Sequence, residues 1–128
     1  MVDIAALWRF LPLGYLFTIL IETPVLLVGL SAPHSWRRRV VSGVWLTAVT
    51  YPVVVLVLPP LLMARSQLLY IVVAEIFAPV AECAMFALAF HRGDAAAAIS
   101  KRQRVRDYVA IVVANLLSFG IGELVRLI

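Results

Sequence analysis

Residues 10–30 read FLPLGYLFTILIETPVLLVGL, an apolar run whose one charged residue, Glu22, stands past its middle. As a helix rising about 1.5 Å per residue, the run covers a hydrocarbon layer of about 30 Å. Three further stretches share that length and character, at 40–62, 68–90 and 108–127. The sequence therefore predicts an all-α integral membrane protein, a single domain over residues 1–128 in which four transmembrane helices form a bundle. Of the 128 residues 64% are hydrophobic and 14% charged, too little polarity to clothe a soluble domain of this length. The first run is expected to be retained as a helix and not cleaved as a signal. It carries Glu22 and Pro24, and its leader, Met1–Trp8, has Asp3 but no basic residue.

Basic residues set the expected orientation. Arg37, Arg38 and Arg39 fall between the first and second runs, and Arg92, Lys101, Arg102, Arg104 and Arg106 between the third and fourth. The other side carries Arg9, Arg65 and Arg126. The excess of Lys and Arg on one side predicts cytoplasmic basic loops with both termini outside, as in a bacterial inner membrane. The positive charge then reports topology. Nucleic acid is not an expected partner, since no soluble module presents the charge. The expected surroundings are the lipid bilayer and either a second copy of the chain or a larger membrane complex.

Of seven acidic residues, Glu22, Glu75, Glu82 and Glu123 lie inside apolar runs. A carboxylate at bilayer depth costs several kcal/mol unless it is paired, protonated or facing water, so such residues mark candidate sites. The two halves of the chain also resemble each other at their polar positions. With Glu22 set over Glu82, Phe17 falls on Phe77; with Thr47 over Asn115, Thr50 falls on Ser118, Tyr51 on Phe119 and Pro52 on Gly120. That pattern predicts a tandem duplication of a two-helix hairpin. Glu22 and Glu82 each stand eight residues before the end of their runs, and Thr47 and Asn115 each seven residues into theirs. All four are thus expected about 11–12 Å from the cytoplasmic boundary.

Helical spacing gathers these residues on faces. Tyr15, Thr18, Glu22 and Gly29 share one stripe of the first helix, and Gly43, Thr47 and Thr50 one stripe of the second. Glu75, Ala78, Glu82 and Ala89 share a face of the third, and Asn115, Ser118 and Gly122 of the fourth. The expectation is a buried proton or ion site of Glu22, Glu82, Thr47 and Asn115, supported by Thr50, Ser118 and Glu75. Two carboxylates facing each other in a low dielectric cannot both ionise cheaply, so the pair could exchange a proton or hold a small cation. The bland alternative has Thr47, Thr50 and Ser118 bonding carbonyls one turn back and Asn115 joining two helices. Glu123 and Arg126, three residues apart, suit an ion pair at the helix end.

The remaining features point less far. Pro24, Pro52, Pro59, Pro60 and Pro79 interrupt the first three helices, and Pro59-Pro60 is expected to end the second. The stretch 95–98 with Lys101–Arg106 suits either a short helix lying on the inner leaflet or a solvated loop. His34 and His91 each follow a helix end and are expected to be isolated loop residues, with neither metal nor cofactor. Cys83, the one cysteine, is expected to be a small buried residue. No nucleophile–base pair or phosphate-binding glycine loop suggests an enzyme. Two functions stay open, a transporter or channel for protons, a small cation or a proton-coupled solute, and a non-catalytic accessory subunit of a membrane complex.

Overall fold

The computed structural model describes residues 2–93 and 97–128. Each helix begins where a polar side chain can cover its free N–H groups. Asp3 accepts from Ala6 N, Ser35 from Arg38 N, Ser66 from Leu69 N and Ser100 from Gln103 N. At Ser100 the cap is reciprocal, because the Gln103 side chain accepts from Ser100 N. The four helices are α1 (Ile4–Gly29), α2 (Trp36–Leu62), α3 (Gln67–Phe90) and α4 (Lys101–Leu127), each long and apolar enough to cross a membrane. No strand occurs among the described residues.

The helices outrun the apolar segments from which they were expected. α1 begins six residues earlier than residue 10 and α4 seven residues earlier than residue 108. Hydropathy marks where a helix suits hydrocarbon, whereas the caps decide where it starts. Lys101–Arg106 are therefore the first turns of α4 and not part of a separate surface helix; of the stretch 95–98, residues 95 and 96 lie outside the described residues.

Pro59-Pro60 does not end α2, which continues through both prolines to Leu62. The helix changes register earlier, in a π-helical turn at Val53–Val57 directly after Pro52. In that register Leu58 N–H bonds Val53 O, so the next carbonyl, that of Val54, would need an N–H from Pro59, which has none. The Tyr70 hydroxyl of α3 supplies the missing donor at 2.9 Å. A helix interrupted by proline is thus completed by its neighbour.

α1 packs on α2 and α4, and α3 packs on the same two, so α1 and α3 stand diagonally across the bundle. Gly43 permits the close approach of α2 to α1, for a Cβ there would sit inside the Thr23 side chain and 3.0 Å from Thr23 Cα. The apolar core is offset toward the end bearing the basic loops, where Leu26, Leu30, Leu46, Phe86, Ala110, Ile111 and Ala114 are buried together. Outward-facing residues such as Leu13, Val28 and Val80 are exposed, giving an apolar belt suited to hydrocarbon.

Gly43→Ala should lower the stability of the bundle by about 1–3 kcal/mol in detergent-micelle unfolding, as overpacking does. Gly120→Ala, where a Cβ meets nothing within 4 Å, should be neutral or slightly stabilising. Equal effects of the two changes would contradict the close α1–α2 approach.

Candidate functional site

Glu22 on α1 and Glu82 on α3 are 4% and 2% exposed. All four of their oxygens accept a hydrogen bond. Thr47 Oγ1 donates to Glu22 Oε2 at 3.0 Å and Ser118 Oγ to Glu22 Oε1 at 2.7 Å. Thr50 Oγ1 donates to Glu82 Oε1 at 3.0 Å, and Asn115 Nδ2 donates to Glu82 Oε2. Each carboxyl group from one diagonal helix pair is therefore held by α2 on one side and α4 on the other. Of the seven residues expected here, the structure bonds six together, Glu22, Glu82, Thr47, Asn115, Thr50 and Ser118, and leaves Glu75 outside that network.

For Thr50 and Ser118 the two alternatives prove compatible, whereas Thr47 is shown bonding Glu22 and no carbonyl of its own helix. Thr50 Oγ1 also lies 3.1 Å from Leu46 O, and Ser118 Oγ 3.0 Å from Asn115 O. A hydroxyl has one proton to donate and lone pairs to accept. When the carboxyl group is ionised, the hydroxyl donates to it. When the carboxyl group is protonated, it donates to the hydroxyl oxygen, and the hydroxyl proton turns to its own helix carbonyl. Neither state leaves a buried polar group unsatisfied. Asn115 serves both acceptors at once, using its second N–H on Ile111 O at 2.9 Å.

The pair forms the floor of a cavity of about 780 Å³ that reaches toward the ends of the helices bearing the two termini. Glu75 lines its wall half-buried, and Glu123 and Arg126 stand near its mouth. The Arg126 guanidinium holds Glu123 at 2.7 Å, as the three-residue spacing suggests. On the other side of Glu22 and Glu82, Leu26, Gly43, Leu46, Ile111 and Ala114 close around a gap with no room for water. The path is hollow on one side of the carboxylates and packed on the other.

Beyond that packed layer lies a cluster that the sequence reading missed. Asp107, wholly buried, accepts from His34 Nε2 at 2.7 Å, from His91 Nε2 at 2.8 Å and from Ser31 N at 2.7 Å. The histidines are not isolated loop residues. Arg38 Nη1 reaches His34 Nδ1 at 3.2 Å, and a guanidinium can only donate. His34 Nδ1 must therefore accept, which puts the imidazole proton on Nε2, facing Asp107. The Tyr108 hydroxyl lies 3.1 Å from His91 Nδ1. Phe86 packs edge-on to both rings, with centroids 5.0 and 5.3 Å away. The sequence signal was a shared level: His34 and His91 each follow a helix end and Asp107 directly precedes the fourth run, so helical hairpins place all three at one end.

Two imidazoles and a carboxylate within 4.8 Å of one another are a donor set that can hold a transition metal. As bonded here, the Nε2 nitrogens face Asp107 as hydrogen-bond donors. The cluster works as a hydrogen-bond hub joining the α1–α2 loop, the end of α3 and the start of α4. Arg39 completes this end by donating to Leu27 O, Ser31 O and His34 O, and Arg106 donates to Gly29 O. Both arginines cover carbonyls at and beyond the C-terminus of α1, where a cation also opposes the helix dipole.

Cys83 is half-buried, as a space-filling role suggests, with its Sγ 3.8 Å from Tyr108 O. Compared with protein-family models, curated proteins and solved structures, the chain matches none.

Asp107→Ala strands three donors and should cost about 2–4 kcal/mol in micelle unfolding. Asp107→Asn keeps acceptors for the imidazoles but sets an amide N–H against Ser31 N–H, and should cost about half as much. A wild-type unfolding midpoint for Asp107→Ala would refute the hub.

Proposed function

We propose that this chain is a small membrane transporter in which Glu22 and Glu82 take up and release a proton at the closed end of a one-sided cavity. The carrying observation is the pair of switchable hydroxyls. Ser118 beside Glu22 and Thr50 beside Glu82 each have a second acceptor on their own helix, so either protonation state is fully hydrogen-bonded. A carboxyl group meant only to tie helices together has no need of that reversibility. In a low dielectric the first charge on the pair opposes the second, so proton occupancy of one carboxyl group depends on the other.

The contact pattern supports descent from a duplicated hairpin. Glu22 draws Thr47 from its own hairpin and Ser118 from the other, while Glu82 draws Asn115 from its own and Thr50 from the other. Exchanging the halves maps each contact onto its counterpart. Parallel repeats related by an axis along the membrane normal are a known transporter plan, with sites at the repeat interface. The basic loops would place the packed end, with its Asp107 hub, at the cytoplasmic face of a bacterial inner membrane and the cavity mouth outside.

An accessory subunit would use buried acids to meet basic groups of a partner helix. Here every oxygen of Glu22 and Glu82 has a donor from within the chain, so no partner is needed to satisfy them. Transport is the better-supported reading.

In liposomes enclosing a pH dye, the wild-type protein should relax a pH gradient at least about tenfold faster than the Glu22→Gln plus Glu82→Gln variant, a rate ratio equivalent to about 1.4 kcal/mol. Equal rates at equal reconstitution would overturn the proposal.

A further inference from the structure

We infer that the cavity above Glu22 and Glu82 binds a hydrophobic organic cation, a quaternary or protonated amine or an aryl onium ion bearing aromatic or branched alkyl groups. The inference rests on reading the glutamate pair as a charge-handling site and adds the class of solute that shares it. Size is the first argument. At about 780 Å³ the cavity falls in the range that encloses drug-sized molecules, far beyond the needs of a proton or a bare metal ion.

Wall chemistry is the second argument. Phe10, Phe17, Tyr51, Tyr70 and Phe119 line the cavity and supply aromatic rings from all four helices. Aromatic faces attract cations, most strongly those that shed water readily. The Tyr51 ring owes its place to Gly14, since a Cβ on residue 14 would clash with its hydroxyl. Gly14 thus leaves room for an aromatic wall where a larger residue would fill it.

Charge is the third argument. Glu22, Glu75 and Glu82 line the cavity, while the one cationic side chain in its lining, Arg126, is bonded to Glu123. An anion would meet three carboxyl groups with no free counter-charge among the described lining residues. A neutral lipophile would gain nothing from them.

A metal ion fits poorly for a separate reason. Calcium or magnesium needs six or more oxygen ligands at about 2.0–2.6 Å. Ser118 and Thr50 can turn to their own helix carbonyls, but Thr47 and Asn115 each donate to one carboxyl oxygen, and a metal would have to expel them. A diffuse organic cation needs proximity to the charge and contact with rings, not inner-sphere oxygens. Proton and cation would then compete for the same pair: binding of the cation favours ionised carboxylates and releases a proton.

The test is equilibrium binding to the full chain in non-ionic detergent, measured by calorimetry against a detergent blank with three probes of similar shape. These are tetraphenylphosphonium, neutral triphenylphosphine oxide and tetraphenylborate anion. Tetraphenylphosphonium should bind saturably, at least about tenfold tighter than the neutral probe, with proton release seen as a buffer-dependent heat. Tetraphenylborate should not bind saturably. In the Glu22→Gln plus Glu82→Gln variant the cation should lose at least about tenfold in affinity while the neutral probe is unchanged.

Equal affinities of the cation and neutral probes for the wild-type protein would overturn the inference without any variant having to fold. So would the absence of saturable cation binding up to about 1 mM. Loss of cation binding alongside glutamate-dependent proton flux would defeat this inference alone. Retained cation binding with no such flux would support it and defeat the transport reading.

Discussion

Two carboxyl groups in an apolar interior constrain everything around them. Each oxygen of Glu22 and Glu82 must find a donor, because an unsatisfied buried carboxylate costs more than any single contact nearby returns. The donors come from α2 and α4, whereas the acids sit on α1 and α3. α1 and α3 face each other across the bundle, so the donors on α2 and α4 tie the two acid-bearing helices into one unit. Thr47 and Thr50 are one turn apart on α2, and Asn115 and Ser118 hold the same spacing on α4. That spacing lets one helix serve both acids at similar depth.

The bundle is built differently above and below this pair. Toward the basic loops, side chains fill the space: Leu26, Leu46, Ile111 and Ala114 pack first, then Phe86, then the Asp107 hub. Toward the termini, aromatic side chains stand apart and leave a cavity. The asymmetry does not follow from hydropathy, which is similar in all four helices. It accompanies a difference in where buried polar groups find partners. At the closed end Asp107 gathers His34, His91 and Ser31, and Arg38 fixes the histidine tautomer; at the open end the carboxyl groups hold reversible hydroxyls.

The arginines show how one residue type serves two purposes. Counted along the chain, Arg37–Arg39 and the cluster at 101–106 are two groups of basic residues in the connections between apolar runs. In space, Arg39 and Arg106 cover carbonyls at the end of α1, and Arg38 bonds His34 while lying 4.5 Å over the Phe90 ring. These contacts draw part of the positive charge inward. Arg37 makes a looser contact, 5.5 Å over the Trp36 ring.

Much of this protein was determined by its sequence alone. Apolar runs of bilayer length name four helices, but the starts read from hydropathy fell one to seven residues late of those that Asp3, Ser35, Ser66 and Ser100 cap, because capping is a local interaction that hydropathy does not report. Period and depth also grouped Glu22, Glu82, Thr47, Thr50, Asn115 and Ser118, since hairpin geometry turns sequence distance into depth, but they added Glu75, which stands on the cavity wall outside that network. Which hydroxyl meets which acid was not legible: Ser118 lies 96 residues from Glu22, and only packing chooses it over Asn115. The hub was hidden for the same reason. His34, His91 and Asp107 belong to three separate stretches, each unremarkable by itself, and only the lateral arrangement of the helices makes one carboxylate the acceptor for all. Depth is encoded along the chain, whereas azimuth is decided by how four helices settle their buried polar groups together.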